Sequence, residues 1–140
     1  MILGFEDAFT DLQSEYVSLC LEYLSIVNVE ADRIYIYLYQ TRHMQMFNAF
    51  FEIKGSIVSA GEIGTEEQSD EFLDVGTDDI QRLIDICEQY QHPCPNEFKL
   101  IFEVQSRTFD AQYGYEDYSE KNEVDPVDVF LEWLSEKKHQ

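Results

Sequence analysis

Hydrophobic side chains recur with a helical period near the start of the chain and then with the period of a strand. From Phe5 to Ile26 they return at alternating steps of four and three, which predicts an amphipathic helix over that range. Residues 33–39 then alternate aliphatic and aromatic side chains of the types that favour strands. Because both sets are apolar, this strand is predicted to be apolar on both faces.

The tyrosines of this strand, Tyr35, Tyr37 and Tyr39, share one of its faces. Three arrangements are open for them: packing beneath a helix, an exposed patch, or a contact in a dimer. Packing beneath a helix is the expected arrangement. A second strand is predicted over residues 46–54, and residues 56–59 form either a third short strand or a continuation past a bulge.

Residues 62–76 are predicted to form a long acidic loop, because three glycines lie in it or beside it. Thr77 is the predicted N-cap of the following helix, with Asp78 and Asp79 in its first turn. The expected buried stripe of that helix consists of Ile80, Leu83, Ile84 and Cys87. Residues 92–95 (His-Pro-Cys-Pro) end it, because proline cannot continue the hydrogen-bond ladder.

A second hairpin is predicted over residues 98–105 and 109–115, joined by a short connection. Asp125 and Pro126 supply an N-cap and a first-turn proline for the last helix. The chain is therefore predicted to be a single α+β domain over residues 1–140. Its antiparallel sheet has four or five strands from the two hairpins. Three helices pack mostly against one face, in the element order α-β-β-α-β-β-α.

The charge of the chain is strongly unbalanced. It has 29 acidic residues against 9 lysines and arginines, for a formal net charge of -20. A compact domain loses stability to such self-repulsion, so the charge suggests attraction to a basic partner. The acids are concentrated in residues 62–79 and 110–136. A surface that is merely solvated and soluble is the alternative.

Composition and charge also exclude several classes of protein. Hydrophobic residues make up 44% of the chain, which is too apolar for a disordered acidic tail. No apolar run approaches the ~18–20 residues that span a bilayer, and the acidic start is unlike a signal peptide. Negative charge argues against direct binding of nucleic acid or anionic membranes. A cytoplasmic location is expected, where Cys20, Cys87 and Cys94 are free thiols.

The sequence has no glycine-rich phosphate loop, no nucleophile elbow and no His-Glu helix pair, so catalysis is not expected. Cys87, His92 and Cys94 lie close together, but their spacing matches no zinc pattern and a fourth ligand is missing. We therefore expect a protein that is not an enzyme and uses no cofactor or metal. A carboxylate-based, metal-dependent hydrolase is the catalytic alternative.

The C-terminal part of the chain resembles a known family. Residues 98–104 read Phe-Lys-Leu-Ile-Phe-Glu-Val, and residues 109–118 read Phe-Asp-Ala-Gln-Tyr-Gly-Tyr-Glu-Asp-Tyr. With Asp125, Pro126 and Trp133, this pattern resembles the C-terminal half of the YezG/EsaG-type immunity proteins. The earlier order of helix, tyrosine-rich strand, phenylalanine-rich strand, acidic loop and helix is similar too. The resemblance implies a small cytoplasmic antitoxin that neutralises the nuclease domain of a cognate secreted toxin.

Charge and resemblance predict the same partner, because nuclease toxins carry basic surfaces that hold phosphates. The rival hypothesis is an acidic adaptor or regulator that binds a basic protein without blocking an enzyme. Tyr113, Tyr115 and Tyr118 flank Glu116 and Asp117 and are candidates for the desolvated centre of the contact. For Tyr113 and Tyr115 the alternative, which strand alternation favours, is that they face the core. The oligomeric state is not predicted. The predicted partner-binding residues are Glu66, Glu67, Asp70, Glu71, Asp74, Asp110, Glu116, Asp117, Tyr118 and Glu120.

Overall fold

The computed structural model describes residues 4–41, 43–116 and 125–139 and shows an antiparallel sheet of five strands. Its helices and strands are α1 (Phe5–Ile26), β1 (Arg33–Gln40), β2 (Gln45–Ile53), β3 (Ser56–Ser59), α2 (Ala60–Ile63), α3 (Glu66–Gln89), β4 (Glu97–Glu103), β5 (Thr108–Gly114) and α4 (Pro126–Lys138). The predicted α+β class is therefore confirmed. The described residues hold four helices rather than the three predicted, since the short α2 was not predicted and overlaps the start of the expected acidic loop, and β3 is a strand of its own.

β1 lies at the centre of the sheet, whose strand order is β3-β2-β1-β4-β5. It pairs with β2 on one side, where Ile36 is opposite Ala49, and with β4 on the other, where Ile36 is opposite Leu100. Residues 34–39 are all buried. The prediction of a strand apolar on both faces is confirmed, and the reason is that both faces of a central strand are covered.

The helices divide between the two faces of the sheet. α1 and α3 lie side by side on the face that carries Ile34, Ile36 and Leu38. α4 covers the opposite face, where its Phe130 and Trp133 pack against the three tyrosines of β1. The expected packing of those tyrosines beneath a helix is therefore confirmed.

The ends of the first and last helices follow the sequence signals closely. α1 has the predicted bounds, Phe5–Ile26. α4 begins after Asp125, whose side chain accepts a hydrogen bond from the Val127 amide at 2.9 Å, and Pro126 occupies its first turn.

The predicted acidic loop over residues 62–76 is wrong, and so is the helix start at Thr77. α3 begins at Glu66, and its N-cap is Thr65. The hydroxyl of Thr65 accepts a hydrogen bond from the Gln68 amide, and the Gln68 side chain accepts one from the Thr65 amide, which is a complete capping box. Asp78 and Asp79 consequently lie in the middle of the helix rather than in its first turn.

The contacts of Gly76 account for its position inside α3, although glycine favours loops over helices. It is buried in α3 against the ring of Phe47 on β2, and an added methyl group would overlap that ring. The Tyr16 hydroxyl of α1 donates a hydrogen bond to the Gly76 carbonyl at 2.7 Å. Glycine in a helix costs about 1 kcal/mol relative to alanine, and here the close packing against the sheet offsets that cost.

We predict that Gly76→Ala destabilises the protein, although alanine is the better helix former. Overpacking a core costs about 1–3 kcal/mol, and the helix preference returns about 1 kcal/mol, so the expected net loss is at most about 2 kcal/mol. Urea unfolding followed by circular dichroism measures it. Gly61→Ala is the control, because an added methyl at Gly61 meets open space. A higher midpoint for Gly76→Ala than for the unsubstituted protein would contradict the role of this contact.

Candidate functional site

Six carboxylates form one exposed stripe along the first half of α3, which we call the acidic ridge: Glu66, Glu67, Asp70, Glu71, Asp74 and Asp78. At 100° per residue they fall within less than half a turn of the helix circumference. The buried residues of α3, such as Phe72, Gly76 and Ile80, lie on the opposite side. Packing of α3 on the sheet therefore points the ridge into solvent.

The ridge is electrostatically unfavourable for the helix that carries it. Glu66 and Asp70, Asp70 and Asp74, and Asp74 and Asp78 are like-charged pairs four residues apart. Each such pair destabilises a helix by about 0.2–0.5 kcal/mol. Glu66 and Glu67 are partly compensated, because they lie in the first turn near the positive end of the helix dipole. In the part of the chain that the structure describes, no lysine or arginine forms an ion pair with a ridge carboxylate.

The charge of the whole α1–α3 layer has the same sign. α1 carries five acidic residues and α3 nine, which is fourteen of the 29 in the chain, whereas the two helices contain a single basic residue. That residue, Arg82, pairs with Glu15 across the helices at 2.8 Å. The opposite side of the sheet is more balanced, since α4 ends in Lys137 and Lys138. Among the described residues, the negative charge is therefore concentrated on the side of the sheet that carries α1 and α3.

The pKa of Asp79 is affected by partial burial and by the acidic residues of α1 and α3. Partial burial raises the pKa of its carboxyl, the charges of Glu15 and Asp78 raise it further, and Arg82 opposes them. The raised pKa means that ionised Asp79 destabilises the folded protein at neutral pH.

The acidic cluster predicted over residues 110–136 is not part of the ridge. Asp110 is exposed on the edge strand β5, opposite Ile101, on the sheet face that α4 covers. Three strand spacings, roughly 14 Å, separate β5 from β2, the strand over which α3 packs. Glu116 is exposed just after β5, and Asp117, Tyr118 and Glu120 lie outside the described residues. The structure thus brings together five of the ten predicted residues, adds Asp78, and places Asp110 on the other face.

The tyrosines of this second region are more exposed than expected. Tyr115 is 58% exposed, so its predicted orientation toward the core is wrong. Tyr113 is 43% exposed, but its ring packs against Phe9 and its hydroxyl donates a hydrogen bond to Gln13 at 3.1 Å. It lies at the margin of the core, since β5 is an edge strand of the sheet.

Residues 4–41, 43–116 and 125–139 contain no group of three His, Cys, Asp or Glu side chains that could hold a metal ion. Burial raises the pKa of the Cys20, Cys87 and Cys94 thiols, which disfavours the reactive thiolate. The open cavity of about 830 Å³ at the end of β1 contains Arg33, but Glu52 (3.0 Å) and Glu103 (3.7 Å) neutralise this cation.

Models of known protein families give no match to this chain, and curated protein sequences give none either. The resemblance to immunity proteins therefore stays a prediction. None of the helices in the described residues has the length and apolar character needed to cross a membrane.

Sequence reasoning identified the acids of the ridge but not their arrangement. The signal that could have found it is the Thr65-x-x-Gln68 capping box followed by Phe72, Ile80 and Leu83 at helical spacing. Ser69 and Gly76 obscured this stripe, since neither is a hydrophobic residue that marks a buried face.

We predict that Asp70→Lys stabilises the protein. The lysine would turn the repulsive pairs with Glu66 and Asp74 into attractive ones, and reversing both pairs gives an expected gain of about 0.8–2 kcal/mol at low salt. Urea unfolding at low and high ionic strength measures the gain, which should shrink as salt screens it. Ser14→Lys, an exposed substitution on α1, controls for added positive charge. A loss of stability in Asp70→Lys would indicate that the ridge is not self-repulsive.

We further predict that Asp79→Asn raises the free energy of unfolding at neutral pH and leaves it unchanged in acid. A raised folded-state pKa means that the folded protein binds the proton more tightly than the unfolded chain. The gain from asparagine is therefore full above the folded pKa and vanishes below the unfolded value of about 3.9. Thermal unfolding between pH 3 and pH 8 tests this, with Glu132→Gln on α4 as the control. A gain that persists at pH 3 would contradict the electrostatic cause.

Proposed function

We propose that this protein is an immunity protein that binds and neutralises a basic toxin domain through the acidic ridge and the α1–α3 layer around it. The single observation that carries the proposal is the one-sided charge. Fourteen acids and one arginine in two adjacent helices give that layer a formal charge of -13. A partner with a positively charged surface is attracted to this side of the molecule before any other.

Electrostatic attraction acts mainly on the rate of association. Complementary fields raise association rates by roughly 10- to 1,000-fold, whereas exposed ion pairs contribute only about 0–1 kcal/mol each. Fast capture suits an immunity protein, because a free toxin damages the cell until it is bound. A nuclease is the favoured kind of toxin, since its surface must carry cations that hold phosphates. The ridge carboxylates would then occupy the place of those phosphates.

The destabilisation of α3 by the ridge also supports the proposal. Its carboxylates repel each other along α3 and have no cationic partner among the described residues. A solvated surface needs no such concentration of like charge on one helix face. An external cationic partner would relieve this repulsion on binding.

An acidic adaptor would use the same surface, so the two functions differ in their consequence for the partner. An immunity protein abolishes the toxic activity of its partner, whereas an adaptor leaves the activity of its partner intact. The test is co-expression with the C-terminal domain of a secreted toxin encoded directly before this gene. Rescue of growth together with a stable complex supports the immunity function, and a complex without rescue supports the adaptor.

We predict that Glu67→Gln/Asp70→Asn/Asp74→Asn slows association with this toxin domain by about ten-fold at low salt. Stopped-flow or surface-based kinetics measures the association rate, which should fall steeply with ionic strength for the unsubstituted protein. The matched control is Asp128→Asn/Glu132→Gln/Glu136→Gln, which removes the same charge from exposed positions on α4. Equal rates for the two triple variants, or a rate that does not respond to salt, would contradict electrostatic capture by the ridge.

A further inference from the structure

A short apolar groove runs between α1 and α3, directly beside the acidic ridge. Its floor is formed by Tyr23 and Phe72, which are both buried and whose rings stack with their centroids 4.3 Å apart. Its edges are formed by Ile26 of α1 and Val75 of α3, which are 59% and 42% exposed. Two large apolar side chains are therefore left in solvent on either side of an apolar floor.

The size of the groove limits what it can hold. Its volume is about 190 Å³, which is below the roughly 300–1,000 Å³ of typical small-molecule sites. A space of this size suits one large aliphatic or aromatic side chain rather than a cofactor or metabolite. Its occupant is therefore expected to be a side chain presented by another protein segment.

The charge around the groove limits which protein segment fits. Glu22 of α1 and Glu71 of α3 are exposed members of its lining, and Glu71 belongs also to the ridge. A second copy of this chain would bring two strongly acidic layers together, and such like-charge juxtaposition costs several kcal/mol. A segment with lysine or arginine beside its apolar residue would instead complement both the rim and the ridge.

We propose that the groove between α1 and α3 takes one apolar side chain from a basic partner segment, whose neighbouring cations contact Glu22, Glu71 and the ridge. This inference rests on the proposed function and specifies how the same surface holds its partner. The exposed charges set the rate of association, whereas the apolar side chain, desolvated between Ile26 and Val75, sets the rate of dissociation.

Two synthetic peptides test the groove with the full chain. One is a lysine- and glycine-rich peptide with a single central leucine, and the other carries alanine in its place. Methyl NMR should show the leucine peptide shifting the resonances of Ile26 and Val75, with a Kd about ten-fold lower than that of the alanine peptide. Both peptides should weaken as salt is added, while the ratio between them is kept.

A matched pair of variants separates the groove from general surface effects. Val75→Thr replaces one methyl group of the groove by a hydroxyl with little change of shape and should weaken binding of the leucine peptide about three-fold. Val127→Thr is the control, because Val127 is equally exposed (42%) on α4. It should leave the affinity unchanged.

Several outcomes would overturn the groove as a binding site. They are equal affinity for the two peptides, no binding of either at millimolar concentration, and a leucine preference that Val75→Thr does not reduce. Methyl shifts that depend on protein concentration without peptide would assign the groove to a second copy and overturn it as well. The proposed function is judged separately, because salt-dependent association of the toxin domain can persist when the leucine preference is absent.

Discussion

The close approach of α3 to the sheet at Gly76 is the constraint on which the surface of this protein depends. The ring of Phe47 occupies the space where a larger residue would place its side chain, and the Tyr16 hydroxyl holds the Gly76 carbonyl from the other helix. These contacts fix the rotation of α3 about its own axis. Because side chains follow the helical period, fixing the buried side also fixes the ridge on the opposite side. A packing contact in the core thus determines where the charge is displayed.

The two faces of the sheet contribute different properties. The α4 face is aromatic, and two of its few cations lie over rings: Lys99 is 5.7 Å from the centroid of Trp133, and Lys137 is 5.9 Å from that of Tyr35. The α1–α3 face is acidic and contains the groove. Burial on both sides of β1 supplies the stability against which the self-repulsion of the acidic face acts. The uneven charge of the two faces would also give an approaching basic partner a preferred orientation.

Much of the fold was predictable because its signals are local. The period of α1, the double-sided apolarity of β1 and the capping residues of α4 each depend on neighbours in the sequence. The first half of α3 has a local signal in its Thr65-x-x-Gln68 capping box, but the buried position of Gly76 follows from its contact with Phe47, a residue of another element. The ridge acids were identifiable from composition, but their common face depends on that helix. The groove joins Ile26 and Val75 across two helices, so no local pattern indicates it.

The only tryptophan in the sequence, Trp133, lies on the α4 face of the sheet, so tryptophan fluorescence reports on that face. Trp133 of α4 is buried, and its ring lies 5.0 Å from that of Phe50, between α4 and the sheet. The whole sheet separates this ring from the acidic ridge. Its emission therefore reports the docking of α4 on the sheet and is insulated from events on the ridge. Detachment of α4 and unfolding of α1 and α3 would consequently give separate optical signatures, the first in tryptophan fluorescence and the second in helical circular dichroism.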